Sequence, residues 1–177
     1  MNNLANMSIR LGLIGTAAAL LLALVNYFTE PVIEELSRER VQSALKLLVG
    51  GGTPGAKEAD PALDVSSRWP ISPGGGWILE ITAKGYGGNM TLLAAYHPDG
   101  RIMSAKLLDN NETVGFGKKA EAPGYMDIFV DKGADIPQSK DDLGGDADTV
   151  SGATITFNGI SKALRLGSNL VKEWEAQ

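Results

Sequence analysis

From Leu11 to Phe28 the chain reads LGLIGTAAALLLALVNYF, a predominantly apolar run without a single charge. As a helix this run is roughly 27 Å long, close to the hydrocarbon thickness of a bilayer. Two other uses compete with a membrane span. A cleaved signal peptide would have Arg10 alone as its basic flank and no small-x-small site after the run. A buried helix of a soluble protein would be unusually apolar on every side. The expectation is a retained anchor over residues 1–28, with its span at about 11–28 and in contact with membrane lipid. Arg10 stands on one side and Arg38 and Arg40 on the other, so basic residues alone leave the orientation open.

The 177 residues leave room for one compact domain beside the anchor. Net charge is -5, from 21 acidic and 16 basic side chains, and no Lys/Arg cluster offers a nucleic-acid footprint. Cysteine is absent, which excludes disulfides, thiolate metal sites, cysteine-held iron–sulfur clusters and thioether haem links. His97 is the only histidine, so a multi-histidine metal site is excluded as well. Chemistry here must come from hydroxyls, carboxylates or a borrowed cofactor.

Thr29-Glu30-Pro31 reads as a helix restart, followed by Ile33, Leu36, Val41, Ala44, Leu45 and Leu48 at helical spacing. This predicts a juxtamembrane helix over 29–49, closed by Gly50-Gly51-Gly52-Thr53-Pro54-Gly55. Residues 56–76 are turn-rich and weakly periodic. Trp77–Lys84, Met90–Tyr96 and Ile102–Leu108 read as strands, and their short connections make them antiparallel neighbours. His97 falls in the second connection, as a solvated loop residue. The acids Asp127, Asp131, Asp135, Asp141, Asp142, Asp146 and Asp148 lack the frame of a calcium loop and read as a solvated stretch. Phe157, Ile160, Ala163, Leu164, Gly167, Leu170, Val171 and Trp174 form one stripe, predicting an amphipathic terminal helix. The fold class is therefore α+β: an antiparallel sheet packed against a C-terminal helix, with one N-terminal transmembrane helix.

Before that helix stands DTVSGATIT, Asp148 to Thr156. Ser151 has the chemistry of an N-cap, Gly152 and Ala153 lack bulk, and Thr154 falls in the first turn. Free N–H groups and the positive end of the helix dipole favour an anion such as phosphate there. Ordinary capping by serine accounts for the same four residues without any ligand.

The stretch resembles the D-x-x-S-G-A-T flavinylation motif of the FMN-binding domain family, found in the G subunit of Rnf complexes and in the C subunit of sodium-pumping NADH:quinone reductases. NNETVGFGKK, Asn110 to Lys119, is similar to the same family's E-T-P-G-L-G segment, with Val114 in place of proline and Phe116 in place of leucine. KGYGG, Lys84 to Gly88, resembles the hairpin that precedes it. The resemblance runs over nearly the whole chain, and its short length favours the Rnf type.

The resemblance implies one covalent FMN per chain, esterified to Thr154 by a magnesium-dependent flavin transferase that reads Asp148. Ser151, Gly152, Ala153, Glu112 and Thr113 are its implied cofactor-binding residues. Tyr86, Phe116 and Tyr125 are aromatic candidates for the flavin ring, although aromatics beside glycines ordinarily pack turns. No resident metal is expected. It further implies an extracytoplasmic domain, residues 50–177, on the cytoplasmic (inner) membrane, exchanging electrons with the other Rnf subunits. One span without an acid offers no ion path, so the chain would carry electrons while the complex moves Na⁺ or H⁺. A stand-alone flavin carrier, or a binding module for a free phosphorylated ligand, are the alternatives.

Overall fold

The computed structural model describes residues 2–59, 64–110, 112, 117–148 and 150–176, and the side chains within them except those of 2–4 and 145–147. It resolves into two units, Met1–Arg40 and Val41–Gln177.

The first helix, α1, runs Asn2–Leu48 with Pro31 inside it. The expected restart at Thr29–Pro31 is therefore absent. Proline removes one hydrogen bond and crowds the carbonyl four residues back, a cost of about 3 kcal/mol. Helical residues on both sides keep their own ladders, and the Thr29 hydroxyl donates to the Val25 carbonyl at 2.7 Å just before it. Within the first unit Leu11, Ile14, Leu20, Leu21, Leu22 and Leu24 are all exposed. Among the described residues this is the one helix long and apolar enough to cross a membrane.

The second unit is built on a five-stranded antiparallel meander in the order β1-β2-β3-β4-β5. Its strands are β1 Thr53–Pro54, β2 Val65–Ser72, β3 Trp77–Lys84, β4 Asn89–Tyr96 and β5 Ile102–Asp109. The last three match the expected strands to within a residue at each end. The first two lie in or beside the stretch read as turns. In β2 the residues Val65, Ser67, Trp69 and Ile71 are all buried, yet Val65 joins one core while Trp69 and Ile71 join the other. A bulge between Val65 and Ser67 causes this, because one extra residue flips every following side chain to the opposite face.

Both faces of the sheet are covered, and the alternation along the central strands shows it. Leu79, Ile81 and Ala83 of β3, with Leu92, Ala94 and Tyr96 of β4, pack with Phe157, Ile160, Leu164 and Val171. Those last four belong to the second helix, α2, which runs Thr154–Glu175 along the predicted stripe. Ile78, Leu93 and Ala95 face the other way, against Ala44, Leu45, Leu48 and Val49. The end of α1 is thus part of the core of the second unit. Ser104 donates its hydroxyl to the Leu48 carbonyl at 2.7 Å, satisfying one of the acceptors a helix end leaves open.

Between β5 and α2 the chain forms short 3-10 turns at Gly117–Glu121, Tyr125–Phe129 and Lys140–Asp148. Two of the acids here serve the loop itself: Asp142 accepts from the backbone N–H groups of Gln138 and Ser139, and Asp135 from that of Gly133. Among the described residues no group of acids or histidine is arranged to hold a metal ion.

Candidate functional site

The turn before α2 differs from the simple cap that its serine suggests. Gly152 adopts φ +81°, the left-handed region that suits glycine, so the helix begins two residues later than expected. Ala153 then occupies the N-cap position, and no side chain caps the helix. Ser151 is two residues too early for that role. Its N–H donates to the Asp148 carbonyl at 3.2 Å, and the Ala153 N–H to the Val150 carbonyl at 3.0 Å. Two lysines brace the turn from outside: Lys119 Nζ donates to the Ser151 carbonyl at 2.7 Å, and Lys140 Nζ lies 3.5 Å from the Ser151 hydroxyl. The result is an uncapped helix start with two cations beside it. Such a start presents N–H groups to solvent or to an anion.

Glu112 approaches from a different part of the chain. It is only 4% exposed, and its Oε1 accepts the Gly87 N–H at 3.2 Å. Its own N–H donates to Asn110 Oδ1 at 3.0 Å, while Asn110 Nδ2 donates to Glu121 at 2.7 Å. Glycine is required on both sides of this carboxylate. A Cβ on Gly85 would overlap Glu112 Oε1, and one on Gly117 would overlap Oε2. The carboxylate thereby ties the hairpin between β3 and β4 to the segment following β5.

These parts meet around one cavity of about 530 Å³. Tyr86 reaches it from the KGYGG hairpin, Glu112 and Gly117 from the segment after β5, and residues 152–156 from the start of α2. Of the residues singled out from sequence, Gly152, Ala153, Thr154, Glu112 and Tyr86 line it together. Ser151 is half-buried and turned to the lysines, and Asp148 is exposed with its carbonyl in the turn. Thr113 and Phe116 lie outside the described residues. Tyr125 is buried in the core beneath, its hydroxyl without a partner among the described residues and its phenol pushed up in pKa by that burial.

Ile155, Thr156, Lys119 and Lys140 were missed from sequence. Ile155 carried a signal: a large apolar residue off the buried stripe of an amphipathic helix. The lysines carried none, since their meeting at Ser151 depends on how three separate turns pack.

This arrangement suits FMN. The volume is that of a small-molecule site, Thr154 is exposed on its wall, and the uncapped helix with its two lysines suits a phosphate.

The FMN-binding domain family model matches residues 85–167, which include the hairpin, Glu112 and the start of α2. The G subunit of the ion-translocating oxidoreductase complex of Shewanella amazonensis is 31% identical over 189 aligned positions, covering 92% of this chain and 86% of that protein. Its counterpart from Cereibacter sphaeroides is 29% identical, covering 94% and 84%. The G subunit of the proton-translocating ferredoxin:NAD(+) oxidoreductase complex of Clostridium ljungdahlii is 27% identical, covering 84% and 80%. The chain belongs to the family of ion-translocating oxidoreductase G subunits, with an FMN-binding domain at residues 85–167.

Proposed function

We infer that this chain is the electron-transfer subunit of a membrane-bound, Rnf-type ion-translocating ferredoxin:NAD oxidoreductase, carrying one FMN esterified to Thr154. The observation that carries this reading is the exposed Thr154 on the wall of a cavity shared with Glu112 and Tyr86. Bound FMN supplies one- and two-electron transfer that no side chain of this cysteine-free chain provides.

Attachment is chemistry done on this chain by a flavin transferase. Thr154 Oγ attacks the FMN phosphorus of FAD, the anhydride bond to the AMP half breaks, and AMP leaves. The hydroxyl proton passes to a base of the transferase, because threonine alone is a weak nucleophile. Asp148, exposed six residues upstream, is available to that enzyme for recognition.

Thereafter the chain's own groups have separate tasks. The first turn of α2 and the cations of Lys119 and Lys140 favour the phosphodiester charge. Glu112 holds the hairpin and places a carboxylate on the cavity wall, where it biases the electrostatics of whatever the cavity holds.

Residues 1–28 anchor the chain in the cytoplasmic membrane through a single pass, 29–49 follow as the juxtamembrane helix, and 50–177 work on the extracytoplasmic side. The partners are the other redox subunits of the complex, which take and deliver the electrons. Affinity capture of the full chain from native membranes tests this assignment. Co-purification of membrane redox subunits is expected, and recovery of the flavinylated chain alone would make it a stand-alone carrier.

A further inference from the structure

Among the described residues of the second unit, three large apolar or aromatic side chains stand exposed: Leu47, Tyr86 and Ile155. Two of the three border the same cavity. Tyr86 is 75% exposed and Ile155 55%, whereas the core beside them is sealed to a few per cent or less. Scattered apolar residues on a surface need no explanation, but two converging on one cavity do.

Their placement is constrained. Ile155 follows Thr154 directly in the first turn of α2, so anything tethered to Thr154 lies within reach of it. Tyr86 rides on a glycine-rich hairpin whose Gly87 N–H is held by Glu112. That bond fixes the hairpin tip on the cavity side while the phenol ring stays in solvent. Tyr125 is not a competitor, being buried in the core with Phe129 and Phe157.

Building on the reading of Thr154 as the flavin-bearing residue, we propose that Tyr86 and Ile155 are the two surfaces that hold the isoalloxazine ring. The phenol ring offers an aromatic face for offset stacking, and the branched side chain of Ile155 offers an apolar one. Holding the ring buries both exposed side chains, which explains why the fold leaves them uncovered. Tyr86 is the specific half of the pair, since a phenol in contact with a flavin quenches its emission by giving up an electron and taking it back.

The test uses the full chain in detergent, made in a host with an active flavin transferase. Intact mass of the denatured protein is measured first. A wild-type chain without the FMN gain removes the underlying reading of Thr154, independently of the ring. In fully flavinylated samples, wild-type emission is expected to be strongly quenched relative to the same sample unfolded in urea. Tyr86→Leu should raise emission and fluorescence lifetime several-fold with the mass gain intact. Tyr86→Phe should raise them comparably, because phenylalanine stacks but donates electrons poorly. Ile155→Ala should leave the FMN mass gain intact and increase access of iodide to the flavin. Wild-type emission in Tyr86→Leu, with the flavin attached, would overturn the proposal. Weakened co-purification of partner subunits in that variant, at unchanged emission, would reassign the pair to protein docking.

Discussion

Gly159 of α2 lies against the carbonyl oxygen of Lys84, the last residue of β3, so closely that a Cβ at position 159 would overlap it. Gly159 is five residues after Thr154, roughly 7.5 Å along the helix. The contact therefore sets the height of the first turn of α2 above the KGYGG hairpin that starts at Lys84. Packing, and not a cap, registers the start of α2 against the sheet.

Gly159→Ala is expected to destabilise the protein by about 1–3 kcal/mol through overpacking. Helix propensity alone would favour alanine by up to about 1 kcal/mol, so the sign decides between the two effects. Denaturant unfolding of the second unit, followed by far-ultraviolet circular dichroism, reads it.

Gly117→Ala should act at the cavity itself, by driving a methyl group into the Glu112 carboxylate. The carboxylate must then give up its place beside the Gly87 N–H. A loss of about 1–3 kcal/mol is expected, and Glu112→Gln should cost less because the amide oxygen can still accept that bond. Glu112→Ala removes the carboxylate overlap but keeps a Cβ that an alanine methyl at 117 would meet at 2.6 Å, so in the double mutant it should recover only part of the loss.

Lys119→Met frees the Ser151 carbonyl from its 2.7 Å bond. The site is exposed, so the stability change should stay within about 1 kcal/mol. The rate of flavin attachment by the transferase should fall instead, with Lys119→Arg retaining most of it. Equal rates in all three proteins would show that the lysine has no part in presenting the turn.

Trp174 packs edge-on against Trp77 at 5.6 Å, and the Arg68 guanidinium lies 4.5 Å from its ring centre. Twenty residues separate it from Thr154, roughly 30 Å along α2. Trp174→Ala should therefore lower the midpoint of unfolding while leaving flavin attachment at wild-type level, as intact mass would show.

Acid should loosen the 138–142 turn. The N–H groups of Gln138 and Ser139 hold the Asp142 carboxyl below its usual range. A depressed value means that the carboxylate's stabilising contribution is complete above the unfolded-state value, about 3.9, and is lost as pH falls through the folded-state one. Hydrogen exchange of the peptide spanning this turn should be slower in wild type than in Asp142→Ala at neutral pH. The two should converge as pH drops below about 4.

The strands β3, β4 and β5 were legible as short apolar runs bounded by glycine or proline–glycine turns, and the helix α2 because its apolar residues keep one helical period. Strand β2 was not, since Ser66, Ser67 and Pro70 interrupt its pattern and the bulge after Val65 changes the face that its apolar residues use. The path of α1 through Pro31 was hidden because a proline marks a break locally, while the helix on either side carries it through. At the site, SGAT and the Glu112 segment could be picked out from sequence, but their meeting could not. It depends on glycines at 85, 117 and 159, whose reason is a contact across the fold rather than a local turn. Ser151 has the chemistry of a cap without its position for a related reason: the left-handed Gly152 moves the helix start past it.

The decisive observation is the intact mass of the denatured full-length chain, purified from a host with an active flavin transferase, beside Thr154→Ala. A gain of one FMN less one water in wild type, absent from a variant that still folds, is the expected result. An unmodified wild-type mass, with the transferase shown to act on another substrate in the same cells, would contradict the assignment of Thr154 as the flavin-bearing residue.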